Sequence, residues 1–357
     1  MVTMRDIAAQ AGVSYTTVSY VLNGRDSGRG ISDTTRQRVT QVASELGYRH
    51  NALARAMVEG GQRVIGLLTQ DLALETRALI LAGAIEEANE RGYLLKVFPL
   101  ARNRVPEATL NQCLEQRLCG AIAVNIASDS LGEVHEEFSR FGVALAMVDD
   151  VSPQPWGVRV TSDDEAGVHL AMEHLWQLGH RRFGFAAGPR DSEVSATRRR
   201  AYADFMTAHQ VESGPIIDAA PNWNLSEEDE AQLRAVLLDG RRPTAVFCVS
   251  DYLAMRVLRV ARSVGLDVPR DLSVVGYSNL LVASYADPPL TTISQPFRMI
   301  GTLAARHLIE RVEAARARSS QGEAFQTAAT SIFNEPLDVA LPTRLVVRAS
   351  TAPPLSN

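Results

Sequence analysis

The sequence of 357 residues is 46% hydrophobic and 22% charged, which predicts two or three folded domains and excludes a largely disordered chain. Its three cysteines lack zinc-site or redox spacing, and their odd number argues against a disulfide framework, so we expect a reducing compartment. Residues 1–65 carry eight arginines against five acidic residues, whereas the remaining chain carries 28 basic and 36 acidic residues. A basic head on an acidic body fits a nucleic-acid partner better than a membrane.

Targeting and membrane segments are not evident in the sequence. Polar residues interrupt the first twenty positions, where a secretory signal would need an apolar core. No later stretch reaches the roughly 18 apolar residues that a membrane span needs. We therefore expect a cytoplasmic protein without a membrane partner.

A first helix is predicted to end at Gly12. Thr3 is a suitable N-cap, and Asp6 stands three residues later, as in a capping box. The apolar residues of this segment have helical spacing and are Met4, Ile7, Ala8 and Ala11.

Two more short helices are predicted in the first fifty residues. Ser14 caps a helix from Tyr15 to Leu22, and Ser32 caps a third helix that Gly47 ends. The apolar positions of these two helices are Val18, Val21, Leu22, Val39, Val42, Ala43 and Leu46. The first two helices form a helix-turn-helix, whose second helix would enter the major groove of DNA. The alternative is a three-helix bundle without a DNA partner.

The body of the chain alternates short apolar runs with amphipathic stretches, which is typical of a parallel sheet covered by helices. Strands are predicted in two sets, over residues 64–69, 94–98, 121–125 and 143–149, then 182–187, 245–249 and 272–276. Helices are predicted at residues 78–91, 110–118, 166–178, 201–209 and 252–264. Two similar α/β lobes suggest a ligand cleft at the carboxyl ends of the strands.

A family resemblance runs through nearly the whole sequence. Residues 4–23, 31–39 and 45–48 resemble the DNA-binding head of the lactose/galactose repressor family. The body resembles the effector domain of the same repressors through residues 173–180, 198–202, 267–277, 289–293 and 341–348. The implied fold is an N-terminal all-α helix-turn-helix head plus an α/β two-lobed effector domain like a periplasmic binding protein.

The resemblance implies a set of DNA-contacting residues in the head. Tyr15 and Thr16, at the start of the second helix, are expected to contact the DNA bases. The other residues of this helix and its flanks that are expected to contact DNA are Ser14, Thr17, Ser19, Tyr20 and Asn23. Tyr20 replaces the arginine usual in the family, so a bidentate guanine contact is absent there. The loop 24–30 is longer than usual, and its Arg25 and Arg29 are expected to contact phosphates.

Residues 51–57 resemble the hinge helix of the family, which orders on the operator and inserts an apolar side chain into the minor groove. Asn51, Ala54 and Met57 are the residues expected to contact DNA here, with Met57 in place of the usual leucine. The alternative is a plain interdomain linker.

The resemblance also implies effector-binding residues at or near strand ends. They are Thr69, Gln70, Asn125, Asp149, Arg198, Trp223, Asp251 and Ser278. Arg198 matches an arginine that grips the ligand, whereas Ser278 stands where an aspartate commonly holds ligand hydroxyls. Three alternatives stay open: Arg198 belongs to a solvated charge run, Trp223 to the core, and Asp251 caps a helix.

We expect a transcription regulator, a repressor by the family's default, that binds a palindromic operator as a homodimer. A small-molecule effector, a sugar or related metabolite, is expected to control DNA affinity. The predicted domains are residues 1–50 for the head, 51–61 for the hinge and 62–350 for effector binding and dimerisation. The first lobe is expected over 62–161 and 294–322, and the second over 162–293 and 323–350.

Two other functional classes fit the sequence less well. An enzyme would need a phosphate-binding glycine motif, a nucleophile elbow or a helical metal pair, so we expect no catalysis, cofactor or metal. A secreted solute-binding protein would share the two-lobed body but carry a signal sequence in place of the helix-turn-helix.

Overall fold

The computed structural model describes residues 2–22, 30–48, 62–149, 156–190, 192–212, 214–219 and 225–355. The chain divides into two compact units, Met1–Gln62 and Arg63–Asn357. Within the described residues, no helix combines the length and apolar character needed to cross a membrane.

The described part of the first unit contains three helices, α1 (Met4–Ala11), α2 (Tyr15–Leu22) and α3 (Asp33–Glu45). The predicted capping box is confirmed: the Thr3 amide donates to Asp6 Oδ2 at 2.8 Å, and the Asp6 amide donates to Thr3 Oγ1 at 3.4 Å. Gly12 follows α1 with φ of 63°, a left-handed conformation that suits glycine and turns the chain toward α2.

One small apolar core joins these three helices. Its buried members come from every helix and are Ile7, Ala8, Ala11, Val18, Val39, Val42 and Ala43. All seven are positions that the 3–4 spacing assigned to inward faces, so local periodicity was sufficient to predict this packing.

The second unit alternates strands and helices along most of its length. Its first elements are β1 (Val64–Gln70), α4 (Glu75–Glu90), β2 (Leu94–Leu100), α5 (Glu107–Glu115), β3 (Gly120–Val124), α6 (Ser128–Arg140), β4 (Ala144–Val148) and β5 (Val158–Ser162). Next come α7 (Asp164–Gln177), β6 (Phe183–Ala187), α8 (Glu193–Ala208), β7 (Ile216–Asp218), α9 (Glu227–Leu238), β8 (Ala245–Cys248), α10 (Asp251–Ser263), β9 (Ser273–Ser278), α11 (Leu281–Tyr285) and β10 (Thr291–Ser294). The last are α12 (Phe297–Ser320), α13 (Phe325–Phe333), β11 (Leu337–Leu341) and β12 (Arg344–Val346).

These elements build two lobes around two six-stranded sheets. The strand order is β11-β5-β4-β3-β1-β2 in the first sheet and β12-β10-β9-β8-β6-β7 in the second. All pairings are parallel except that of β10 with β12. Helices cover both faces, as β3 illustrates: Ile122 lies in one apolar layer and Ala121 and Ala123 in the opposite one. The predicted parallel α/β architecture is therefore confirmed.

The predicted lobe assignment of residues 323–350 is wrong for most of that segment. Strand β11 pairs with β5 in the first sheet, with Leu337 opposite Val158, and Ala328 and Ile332 of α13 lie in the core of the first lobe. Only β12 returns to the second sheet. A short strand can extend any open sheet edge, so local sequence does not decide which sheet it joins.

The chain consequently passes between the lobes three times, at residues 162–164, 294–297 and 341–344. The connections are short, and two of them place polar side chains, Asp164 and Gln295, between the two sheets' carboxyl ends.

The predicted helix at residues 201–209 is only the second half of α8. Ser192 caps the true N-terminus by accepting from the Ser195 amide at 3.3 Å. Arg198, a charged residue on the buried face of the first half of α8, interrupts the apolar periodicity by which a buried helix face is recognised.

Helices α4 and α12 approach each other closely on the first lobe. A Cβ atom added to Gly301 would lie 1.9 Å from the carbonyl oxygen of Ile80, and one added to Gly83 would lie 1.9 Å from that of Arg298. The two glycines thus permit backbone contact between these helices.

Candidate functional site

The start of α2 presents a polar surface in the first unit. Ser14 caps the helix, because its Oγ accepts from the Thr17 amide at 3.1 Å. Tyr15 is 53% exposed, and Thr16 is exposed beside it, whereas Val18 is fully buried and anchors the opposite face. Hydroxyl groups on a rigid, outward-facing first turn can donate to or accept from base edges and phosphates.

The other predicted DNA-contacting residues are placed as follows. Thr17, Ser19 and Tyr20 of α2 are partly exposed. The loop and hinge residues lie outside the described residues, and their DNA contacts stay predictions: Asn23, Arg25, Arg29, Asn51, Ala54 and Met57.

In the second unit, a cavity of about 120 Å³ lies between the carboxyl ends of the two sheets. Its walls combine charged, amide, hydroxyl and apolar side chains: Leu74, Thr76, Arg77, Asn125, Asp149, Val194, Arg198, Ser250, Tyr252, Ser278, Leu280, Gln295 and Phe297. Four of the eight predicted effector-binding residues, Asn125, Asp149, Arg198 and Ser278, are brought together here.

Three of these wall residues have left-handed backbone conformations. Asn125 has φ of 51°, Asp149 of 54° and Ser278 of 114°, each at the carboxyl end of a strand. Such conformations are costly for residues with a side chain, and they concentrate at ligand sites where the surrounding structure holds them.

Asp149 forms an ion pair across the first-lobe wall of the cavity. Arg77 Nη1 donates to Asp149 Oδ2 at 3.0 Å, and their side chains are only 11% and 13% exposed. Burial raises the pKa of Asp149, while Arg77 and Arg198 oppose that rise. Arg77 was not among the predicted residues, because nothing in its local sequence marks it as facing a strand end 72 positions away.

Arg198 is held by a buried network on the second-lobe side. Its Nε and Nη2 donate to the two carboxylate oxygens of Asp164, each at 3.2 Å, and its Nη1 donates to the Val249 carbonyl at 2.7 Å. The guanidinium carbon lies 3.9 Å from the Tyr277 ring centroid. Burial by itself lowers the pKa of Arg198, but Asp164 and Tyr277 reverse this, and the net pKa is raised. The alternative of a solvated charge run is therefore wrong for Arg198.

Gln295 connects this network to Ser278. Its Nε2 donates to Ser162 Oγ at 2.6 Å, and its Oε1 accepts from Ser278 Oγ at 3.1 Å. Asp164 also accepts from the Tyr277 hydroxyl at 3.0 Å. Ser278 thus orients an amide, where an aspartate would instead place a negative charge in the cavity.

The structure does not place Thr69, Gln70 or Asp251 on the cavity wall. Thr69 is buried and donates its hydroxyl to the Gln70 carbonyl at 3.1 Å. Trp223 lies outside the described residues, so its predicted contact stays a prediction.

Asp251 instead braces the loop that follows β9. It is buried and accepts from the Leu280 amide at 2.7 Å and from Thr292 Oγ1 at 2.5 Å. Burial raises its pKa to about 7. The helix cap is its neighbour Ser250, whose Oγ accepts from the Leu253 amide at 3.2 Å, so the capping alternative for Asp251 is wrong as well.

Among the described residues, no group of three or more His, Cys, Asp or Glu side chains could hold a metal ion. The wall offers hydrogen-bonding groups and the Arg77–Asp149 ion pair, and wall residue Arg198 forms a second ion pair with Asp164. This arrangement suits reversible binding of a small polar molecule.

Comparisons with known proteins match both units. The model of bacterial regulatory proteins of the lacI family matches residues 3–51, and that of the periplasmic binding protein-like domain matches residues 172–351. A regulator of Streptomyces coelicolor, MalR, is 34% identical over 87% of this chain and 90% of its own length. The lactose operon repressor of Escherichia coli is 31% identical over 90% of this chain and 87% of its own.

Solved structures agree with these sequence matches. A crystal structure of the lac repressor dimer bound to operator and the anti-inducer ONPF has a TM-score of 0.80 and 28% identity, covering 98% of this chain and 99% of that one. A complex of the transcriptional regulator CelR with cellobiose has a TM-score of 0.65 and 26% identity, covering 98% and 100%.

Proposed function

Because this chain belongs to the lacI family of bacterial regulatory proteins, we propose that it represses transcription by binding operator DNA as a homodimer. It is a transcription regulator and not an enzyme. The observation that carries the proposal is the capped, outward-facing first turn of α2, within the segment that matches the family's DNA-binding model. Since its DNA partner lies in the bacterial cytoplasm, we assign the protein to that compartment.

On DNA, α2 lies in the major groove, with Tyr15 and Thr16 at base edges and Ser14 at the backbone. The lac repressor structure that resembles this chain is a dimer on its operator, which supports the same assembly here. A symmetric dimer presents two copies of α2 related by a two-fold axis, so the operator is a palindrome.

The effector is a neutral molecule rich in hydroxyl groups, in the class of sugars. Each charged wall residue already has a partner of opposite charge: Arg77 pairs with Asp149, and Arg198 with Asp164. A charged ligand would have to displace one of these buried pairs, which is costly. A sugar instead uses the unoccupied N–H groups and oxygens of the same residues, and the similar CelR structure contains cellobiose.

Control follows from the position of the cavity between two lobes joined by three short connections. A ligand that contacts both walls binds one relative arrangement of the lobes more tightly than another, and it shifts the population by that difference in affinity. Coupling to DNA is reciprocal: the operator changes sugar affinity by the same factor by which the sugar changes operator affinity.

The test of the DNA partner is selection of bound sequences from a random duplex library by the intact protein. We expect enrichment of a two-fold symmetric sequence. Recovery of no sequence preference, from protein that is folded by circular dichroism, would overturn the proposal.

The test of the cavity is a thermal-shift screen with monosaccharides and disaccharides, followed by operator binding with each sugar that stabilises the protein. We expect such a sugar to alter operator affinity, and Arg198→Met to lose the sugar response while it still binds the operator. An equal sugar response in Arg198→Met and the unaltered protein would remove Arg198 from the site.

A further inference from the structure

A second enclosed cavity lies at the amino ends of the second sheet, which is the end opposite the proposed effector cavity. It holds about 110 Å³, and three arginines line it: Arg182, Arg242 and Arg270. Arg182 directly precedes β6, Arg242 lies three residues before β8, and Arg270 lies three residues before β9. Parallel strands bring their amino ends to one edge, so these arginines converge although they are far apart in sequence.

The three guanidinium groups have no side-chain partner in the part of the chain that the structure describes. Among the described residues, none of the three has an acidic group within 4.0 Å or a side-chain hydrogen bond. The acidic residue on the wall, Asp271, is engaged elsewhere, because its Oδ2 accepts from the Asp267 amide at 2.9 Å. The lining therefore carries three positive charges against one negative charge, in a protein whose net charge is −5.

The neighbouring arginine shows that this arrangement is not general to the region. Arg181 lies 3.5 Å over the Trp176 ring and donates to the carbonyls of Trp176 at 3.0 Å and His180 at 2.7 Å. Arg181 Nη1 thus donates twice within the protein, whereas no side-chain N–H group of the three cavity arginines donates to another described residue.

The floor of this cavity is rigid. His180 is 1% exposed, and its ring nitrogens contact Thr244 Oγ1 at 2.9 Å, Ser273 Oγ at 3.1 Å and the Ala352 carbonyl at 2.9 Å. Burial lowers the pKa of His180, which favours the neutral ring. Pro354 and Leu355 close one side, so the C-terminal segment forms part of the wall. The floor is therefore held by buried contacts, whereas Arg182 and Arg270 on the wall are exposed to an incoming ligand.

We propose that this arginine cavity binds a phosphate group, carried by inorganic phosphate or by a small phosphorylated metabolite. Guanidinium forks match phosphate oxygens in geometry, and the net positive charge of two matches a phosphate of about −1.5 to −2 at neutral pH. The enclosed volume fits one such group but not a peptide segment. The site is separate from the effector cavity, so the regulator would bind a second ligand in addition to its effector.

The experiment is calorimetric titration of the intact protein at constant ionic strength with inorganic phosphate, glycerol 3-phosphate and citrate. Both phosphates are expected to bind and citrate is not. Tighter binding of glycerol 3-phosphate than of inorganic phosphate would assign a phosphorylated metabolite as the ligand, and the reverse order would assign free phosphate. Binding of citrate alone, or of none of the three, would overturn the proposal.

Two variants locate the site. Arg242→Gln with Arg270→Gln is expected to weaken phosphate binding by at least about tenfold, because two charge-assisted contacts are removed. The matched control is Arg241→Gln, an exposed neighbour that does not line the cavity and whose replacement is expected to leave binding unchanged.

Retention of phosphate binding in the double variant would place the phosphate at another site and refute the inference. Equal losses in the double variant and in Arg241→Gln would reduce the effect to general surface charge and refute it as well. Should the double variant melt at a lower temperature than the unaltered protein, the exposed single change Arg270→Gln serves in its place.

Discussion

The buried ion pair between Arg198 and Asp164 leads to a quantitative prediction. The two residues are 5% and 6% exposed, and Asp164 also accepts from Tyr277. Arg198→Met removes one charge and leaves the other buried without its main partner, which costs about 3–5 kcal/mol in the free energy of unfolding. The network of additional hydrogen bonds favours the upper half of that range.

The double variant Arg198→Met with Asp164→Asn separates pairing from packing. Neither buried charge remains, so its loss of stability should be smaller than the sum of the two single losses. The control is Arg199→Met, which removes the adjacent and partly exposed arginine that pairs with Asp218. This change should cost no more than about 1 kcal/mol.

Urea-induced unfolding of the intact proteins, followed by circular dichroism and by tryptophan fluorescence, measures these differences. The two signals report on whether the second unit unfolds in one step, which the calculation of a free energy requires. A loss for Arg198→Met no larger than that for Arg199→Met would refute the reasoning, as would strict additivity in the double variant.

Three further predictions concern other parts of the chain. Tyr15→Ala should weaken operator binding by about 1–3 kcal/mol at unchanged melting temperature, measured by fluorescence anisotropy, because the side chain is exposed on α2. Gly301→Ala should cost at least about 1–3 kcal/mol in urea unfolding, since its Cβ would collide with the Ile80 carbonyl, whereas Gly132→Ala, with open space, should not destabilise. Burial raises the pKa of Asp251 from 3.8 to about 7, so its stabilisation is full below the lower value and lost as pH rises through the upper one. Asp251→Asn should flatten that decline, measured by unfolding at several pH values.

Each of these has a clear contrary result. Unchanged operator affinity in Tyr15→Ala would remove that side chain from the interface. Equal stability of the two alanine variants would show that α4 and α12 can separate without cost. An unaltered pH profile in Asp251→Asn would mean that another group titrates in that window.

Local sequence was sufficient to predict those features that depend on contacts between residues close together in the chain. The capping box at Thr3 and Asp6, the left-handed Gly12 and the buried face of each head helix follow from contacts within one or two turns. The parallel strands were predictable for a related reason, because strands covered on both faces must be apolar throughout. The family resemblance, and not periodicity, indicated Asn125, Asp149 and Ser278, which lie at carboxyl ends of strands in the two facing sheets.

Only the tertiary structure decided which distant groups meet. Arg77 reaches Asp149 across 72 positions, and Arg198 reaches Asp164 across 34, by contacts that depend on the arrangement of whole lobes. The placement of β11 beside β5 depends in the same way on an open edge elsewhere in the fold. The arginine cavity has this origin too, since strand register brings its three guanidinium groups together. Hydrophobic periodicity indicates which face of a helix or strand is buried. Which residues pack against that face depends on the fold of the complete chain.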